Sequence, residues 1–203
     1  MIPACSLDTI KYKLSSKYED GEECIIGIMF ARYDITLSQG MINECYQYWH
    51  ELAGIGFDMF WIGYGEYGCE DNNYKTIEMT FPGNNTYNYF STREFIDSVR
   101  EIKSLTRDKW KYNDKIQLML VNCKDGKIDL SKIIAIDLEK NLGENNSNLR
   151  QLVYNIIEYS RSYSDVREIK PLLRRDSFWQ SLKSVKFIQV VEFLSLLKET
   201  KKR

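Results

Sequence analysis

Apolar positions along the chain change period several times, and each change marks an element. From Asp8 to Leu14 they alternate, with Ile10, Tyr12 and Leu14 set against Lys11 and Lys13, which predicts a half-exposed strand at a sheet edge. The polar turn Asp20-Gly21-Glu22-Glu23 leads into Cys24–Ala31, a continuous apolar run suited to a central strand covered on both faces. Ser38–Ala53 switches to helical spacing, with Met41, Cys45, Trp49 and Leu52 on one stripe. Ser38 can cap its start, and Gly54 suits the left-handed position past its end. Phe57–Gly63 returns to strand character, so these segments predict a right-handed crossover that sets two parallel strands side by side.

Tyr64–Tyr74 reads as a polar loop, and Tyr74–Phe81 alternates once more before the turn Pro82-Gly83-Asn84-Asn85. The clearest helix start follows. Ser91-x-x-Glu94 is a capping box, and Phe90 and Phe95 occupy the two staple positions around it. Ile116–Cys123 and Lys132–Leu138 read as strands joined through Asp125-Gly126, a strong hairpin signal. A helix then presents Leu149, Leu152, Val153, Ile156 and Ser160 on one face. Ser164–Asp176 is charged, contains Pro171 and reads as a linker. A last helix over Ser177–Thr200 is apolar around about two-thirds of its circumference. The expected division is a core domain over 1–163 and a basic helical extension over 164–203.

Composition narrows the class. Hydrophobic residues make up 43% of 203 positions and prolines number 3, which supports a packed core over a disordered chain. The tyrosines, phenylalanines and tryptophans suit packing before any stacking role. Net charge is −1 but unevenly spread: residues 1–90 balance to −8, 91–160 to +1 and 161–203 to +6. The two ends can complement each other within a fold or between subunits. Acidic residues are interspersed in the basic tail, which disfavours nucleic acid as its partner. The 5 cysteines lack any Cys-x-x-Cys pair and the 1 histidine is His50, which argues against structural zinc and against a disulfide framework. Reduced cytosolic thiols are the expectation. The start of the chain lacks the pattern of a signal peptide, and Val185–Leu197 is too short and too charged to span a bilayer, so a cytoplasmic protein without membrane contact is expected.

The order strand, helix, strand, edge strand, helix, hairpin, helix over residues 23–163 resembles a thioredoxin-like arrangement, here with an extra N-terminal edge strand and a C-terminal helical extension. The fold class is therefore α/β with a mixed sheet. The resemblance is one of element order and carries no sequence motif. Where that family holds its redox pair, this chain reads Arg32-Tyr33-Asp34-Ile35-Thr36, and where it holds a proline before the hairpin this chain reads Asn113-Asp114-Lys115. Thiol–disulfide exchange of that family's kind has no cysteine at this place.

The same loop is the best candidate for a ligand. Open α/β sheets bind ligands where the carboxyl end of a strand meets a helix N-terminus, whose free N–H groups attract anions. Arg32, Tyr33, Asp34 and Thr36 stand there, and the second strand delivers Tyr64 and Glu66 to the same edge. In the plainer reading, Asp34 caps the loop, Arg32 pairs with Glu66 and the tyrosines pack. Asp58, inside a buried strand, implies either an edge position or a basic partner. His50 shares a polar helix face and reads as a surface residue. No glycine-rich phosphate motif and no nucleophile elbow occurs, and no cofactor is implied. The expectation is a non-catalytic protein-interaction, sensing or accessory subunit. It would engage another protein chain, or itself, through the strand-end edge and the apolar face carrying Phe187, Val190, Val191, Leu194 and Leu197. Its alternatives are a small-molecule or nucleotide-handling enzyme using Arg32, Asp34, Tyr64 and Glu66, and nucleic-acid binding through the basic tail. The abundance of Ile, Asn, Lys and Tyr fits an AT-rich, bacterial coding genome.

Overall fold

The computed structural model describes residues 2–33, 35, 48–54, 56–65, 74–77, 88–138, 147–175 and 185–189. The chain opens with a short strand, β1 (Ile2–Ala4), and then a helix, α1 (Leu7–Lys17). The helix replaces the edge strand expected over Asp8–Leu14; the N-terminal strand exists, but upstream of it. The two periods coincide at Ile10 and Leu14, which lie on one face of either element. Leu7 and Tyr12 decide between them. Leu7 is buried with Ile10 and Leu14, as a helical face requires, while Tyr12 is 74% exposed, where a strand would have turned it inward. Ser6 caps the helix by accepting the Thr9 N–H at 3.3 Å.

β2 (Glu23–Phe30) is the expected central strand, buried from Ile25 onward. Residues 48–52 are helical, consistent with the end of the expected crossover helix, whose remainder over 38–47 lies outside the described residues. β3 (Asp58–Ile62) follows, every residue of it buried. The expected loop after it begins as a strand, β4 (Tyr64–Gly65), the alternating segment supplies β5 (Tyr74–Ile77), and a strand that the pattern did not mark, β6 (Asn88–Ser91), precedes the next helix. α2 (Thr92–Leu105) begins as its capping box indicates, with the Ser91 hydroxyl accepting the Glu94 N–H at 3.2 Å. The Ser91 N–H is occupied elsewhere, donating to the Gly63 carbonyl at 2.9 Å. The staple rings of Phe90 and Phe95 stand 5.8 Å apart.

β7 (Gln117–Lys124) and β8 (Lys127–Asp137) form the expected hairpin, although β8 begins five residues earlier than the pattern indicates. Asp125 and Gly126 both adopt positive φ, 52° and 67°, the pairing that a two-residue turn matching strand twist demands. A register shift between Val121 and Asn122 interrupts the ladder. That irregularity hides the first half of β8 from a period-two reading.

α3 (Ser147–Ser162) buries Leu149, Leu152, Val153, Ile156 and Ser160 as expected. The segment read as a linker is instead α4 (Val166–Arg175), with Pro171 inside it. Burial of Val166, Ile169 and Leu173, at about 1.5–3 kcal/mol each, outweighs the roughly 3 kcal/mol that an interior proline costs. Its first turn is also well capped. The Asn122 side chain accepts the Val166 N–H at 2.8 Å, and the Asp165 carboxylate accepts the Arg167 N–H at 2.8 Å and its Nε at 2.9 Å.

These bonds to Arg167 hold the Asp165 carboxyl at about 2, below its ordinary 3.8, although partial burial opposes them. A depressed folded-state value contributes stability above pH 4 that fades as the pH falls toward 2. Asp165→Ala is therefore expected to cost about 1 kcal/mol at pH 7. Chemical denaturation of both proteins across this range should show the difference vanish near pH 2; a difference that persists there would contradict the capping role.

β9 (Val185–Gln189) corrects the last helix. These residues were expected inside a helix over Ser177–Thr200 but form a strand, and 176–184 and 190–203 lie outside the described residues. A short apolar run fits a buried strand and a buried helix equally, and Val185, Phe187 and Ile188 carry high strand preference. The open side of β8 supplies the ladder that settles the choice.

The main sheet has the order β1-β3-β2-β7-β8-β9. β1 runs parallel to β3 and β3 parallel to β2, whereas β2, β7, β8 and β9 are successively antiparallel. A second, antiparallel sheet has the order β4-β6-β5, so the alternating segment does not join the main sheet. α1 packs against α2, and α3 against α4. Aromatic residues fill the core as composition suggests: Phe30 lies against Trp110 at 4.8 Å, and Trp49 against Trp61 at 6.3 Å.

Candidate functional site

Two groups of polar side chains stand at opposite ends of the parallel strands. The first is the strand-end edge. β2 hands the chain to Ala31, Arg32 and Tyr33, and β3 hands it to Gly63 and Tyr64. Tyr64 is buried, and its hydroxyl donates to the Ala31 carbonyl at 2.6 Å, tying the two strand ends together. Its ring stands 5.5 Å from Trp61 and 5.0 Å from Phe90. Arg32 meets Asp114 at 3.4 Å, on the segment that enters β7. Tyr33 is half-buried against the core. Asp34, Thr36 and Glu66 lie outside the described residues, as does any pairing of Arg32 with Glu66. Of the apolar interface candidates, Phe187 lies on β9 in register with Ile134, and Val190, Val191, Leu194 and Leu197 lie outside. His50 sits half-exposed on the helical residues 48–52.

The second group lies at the amino end of the parallel strands and escapes a sequence reading. Asp58 opens β3 with its side chain wholly buried, and Lys17, at the end of α1, donates to both carboxylate oxygens at 2.7 and 2.8 Å. The Tyr18 hydroxyl donates to the same carboxylate at 2.8 Å. Asp58 thus has the basic partner that its burial implied.

Beside Tyr18 stands Cys24 on β2, and directly across the ladder from Cys24 stands Cys123 on β7. Both thiols are free, Cys24 half-buried and Cys123 buried. The neighbouring Cys123 thiol draws the Cys24 thiol below its ordinary value, against the opposing effects of burial and of the Asp58 carboxylate. The Cys24 neighbour and burial push Cys123 up, and burial, Cys24 and Asp58 push the Tyr18 phenol up. The spacing that brings these groups together is one of strand register: nothing within Lys17-Tyr18, Cys24, Asp58 or Cys123 signals it before the sheet order is known.

Among the described residues no group of three His, Cys, Asp or Glu side chains is placed to hold a metal ion, and no helix is long and apolar enough to cross a membrane. A scan against protein-family models finds no match, and searches of curated proteins and of solved structures find no significant similarity.

Proposed function

We propose that the chain is a non-catalytic protein-interaction subunit that engages another chain through the β9 edge of its main sheet and the apolar residues that follow it. The observation that carries this reading is the position of β9. It is the last strand of the six-stranded sheet, bonded to β8 on one side and with no neighbouring strand among the described residues on the other. The open side of such a strand offers backbone donors and acceptors to an extended segment of a partner. The apolar residues Val190, Val191, Leu194 and Leu197 follow β9 in the sequence. The +6 balance of residues 161–203 favours an acidic docking strand. The strand order of residues 2–137, two parallel steps and then an antiparallel hairpin, supports a thioredoxin-like scaffold beneath this surface. The unbridged thiols Cys5, Cys24 and Cys123 support a cytoplasmic setting. A small-molecule enzyme built on Arg32, Asp34, Tyr64 and Glu66 draws less support, since Tyr64 spends its hydroxyl on Ala31 and Arg32 meets Asp114.

Two proline variants test the proposal. Alternate residues of a strand direct their N–H groups to opposite sides, so one of Lys186→Pro and Phe187→Pro removes a donor from the β8 ladder and the other from the open edge. The variant that keeps wild-type thermal stability is the edge variant. It is expected to lose at least about tenfold in association, whether with a second copy in light scattering or with a protein cross-linked to β9 and captured by the full chain. Equal retention of every associated chain by wild type and edge variant, or the absence of any association, would contradict the proposal.

A further inference from the structure

We propose that Cys24 and Cys123 form a cross-strand dithiol site that reacts with low-molecular-weight disulfides and closes into a bridge between β2 and β7. The carrying observation is register. Cys24 and Cys123 are direct partners in the antiparallel ladder, and both are reduced. Residues opposite each other in such a ladder have Cα atoms about 4.5 or 5.5 Å apart. Either distance falls inside the window of roughly 4.4–6.8 Å that a disulfide spans. The spacing of a directly paired position is therefore compatible with a bridge.

The surroundings divide the two roles. Cys24 is half-buried at the outer end of β2, where a small disulfide can reach it, whereas Cys123 is buried behind it. The Lys17 charge favours the Cys24 thiolate, the form that attacks, while the Asp58 carboxylate opposes it. Cys123 is held next to Cys24 by the ladder between β2 and β7.

The step balances as follows. The Cys24 thiolate attacks one sulfur of a disulfide R–S–S–R, forms a mixed disulfide and expels R–S⁻, which takes up the proton that Cys24 released. Cys123 then loses its proton and attacks the Cys24 sulfur, expelling the second R–S⁻, which is protonated in turn. The protein gives up two protons and two electrons, and the disulfide is reduced to two thiols.

The test is titration of the full chain with oxidised glutathione, followed by an acid quench, alkylation of remaining thiols and peptide mapping. The expected result is a bridge joining Cys24 to Cys123 while Cys5, Cys45 and Cys69 are alkylated. Adduct formation on Cys24 should run about tenfold faster than on Cys5. Cys123→Ser should stop at the stage of one glutathionyl group on Cys24, and Cys24→Ser should leave Cys123 unmodified. Circular dichroism establishes that each variant is folded; should either fail, the wild-type map decides alone. A folded wild-type chain that forms no Cys24–Cys123 bridge, or that bridges other cysteines in preference, would overturn the proposal.

Discussion

Lys17→Met is expected to destabilise the fold by about 3 kcal/mol, whereas Asp58→Asn costs about 1 kcal/mol. The asymmetry follows from where the two charges sit. The Asp58 side chain is wholly buried, while that of Lys17 is 48% exposed. Methionine keeps the apolar stem of Lys17 but leaves the carboxylate in the interior bonded to the Tyr18 hydroxyl without the neighbouring cation. Asparagine at 58 removes the buried charge itself, retains an acceptor for Tyr18, and leaves Lys17 free to turn toward water. Urea denaturation of the two variants ranks them. Equal losses, or a larger loss for Asp58→Asn, would show that the pair is not desolvated in the way its geometry indicates.

Gly63→Ala is expected to cost about 3 kcal/mol, the sum of a left-handed backbone penalty and overpacking. Gly63 has φ +83°, and an added Cβ would lie 2.9 Å from the Phe90 ring and 2.9 Å from the Phe95 Cβ. The residue joins β3 to β4, its N–H donating to Ala4 and its carbonyl accepting from Ser91, both at 2.9 Å. A shift there disturbs both sheets. Gly21→Ala is the control: φ is +93°, but nothing lies within 4 Å of an added Cβ, so the backbone penalty of about 1 kcal/mol stands alone. Similar losses at both positions in urea denaturation would remove the steric part of the argument.

The elements that the sequence makes legible are those whose local signals agree with their surroundings. The central strands β2 and β3, the capped start of α2, the Asp125-Gly126 hairpin and the buried face of α3 each carry a pattern that only one element satisfies. The failures occur where two periods coincide or where a distant contact decides. Ile10 and Leu14 satisfy a strand and a helix alike, and burial of Leu7 resolves them. Pro171 and a run of charges mask α4, whose buried stripe of Val166, Ile169 and Leu173 is sparse but sufficient. Val185–Gln189 becomes a strand because β8 offers a ladder, which no local pattern reveals.

The site divides in the same way. The strand-end edge could be located from element order, and the structure brings Arg32, Tyr33 and Tyr64 to it, with the Tyr64 hydroxyl used in closing the fold. The Lys17–Tyr18–Asp58 cluster and the Cys24–Cys123 pair could not be located, since each joins residues from separate elements whose register had to be known first. Asp58 alone gave a hint, because a carboxylate inside a buried strand requires a partner.

Hydrogen exchange at residues 185–189, in the free chain and in its associated state, bears most directly on how the protein works. The expected result is that the amides on the open side of β9 exchange rapidly in the free chain and become protected on association, while those of residues 31–33 are unchanged. Protection at the strand-end edge, with β9 exchanging equally in both states, would contradict the account.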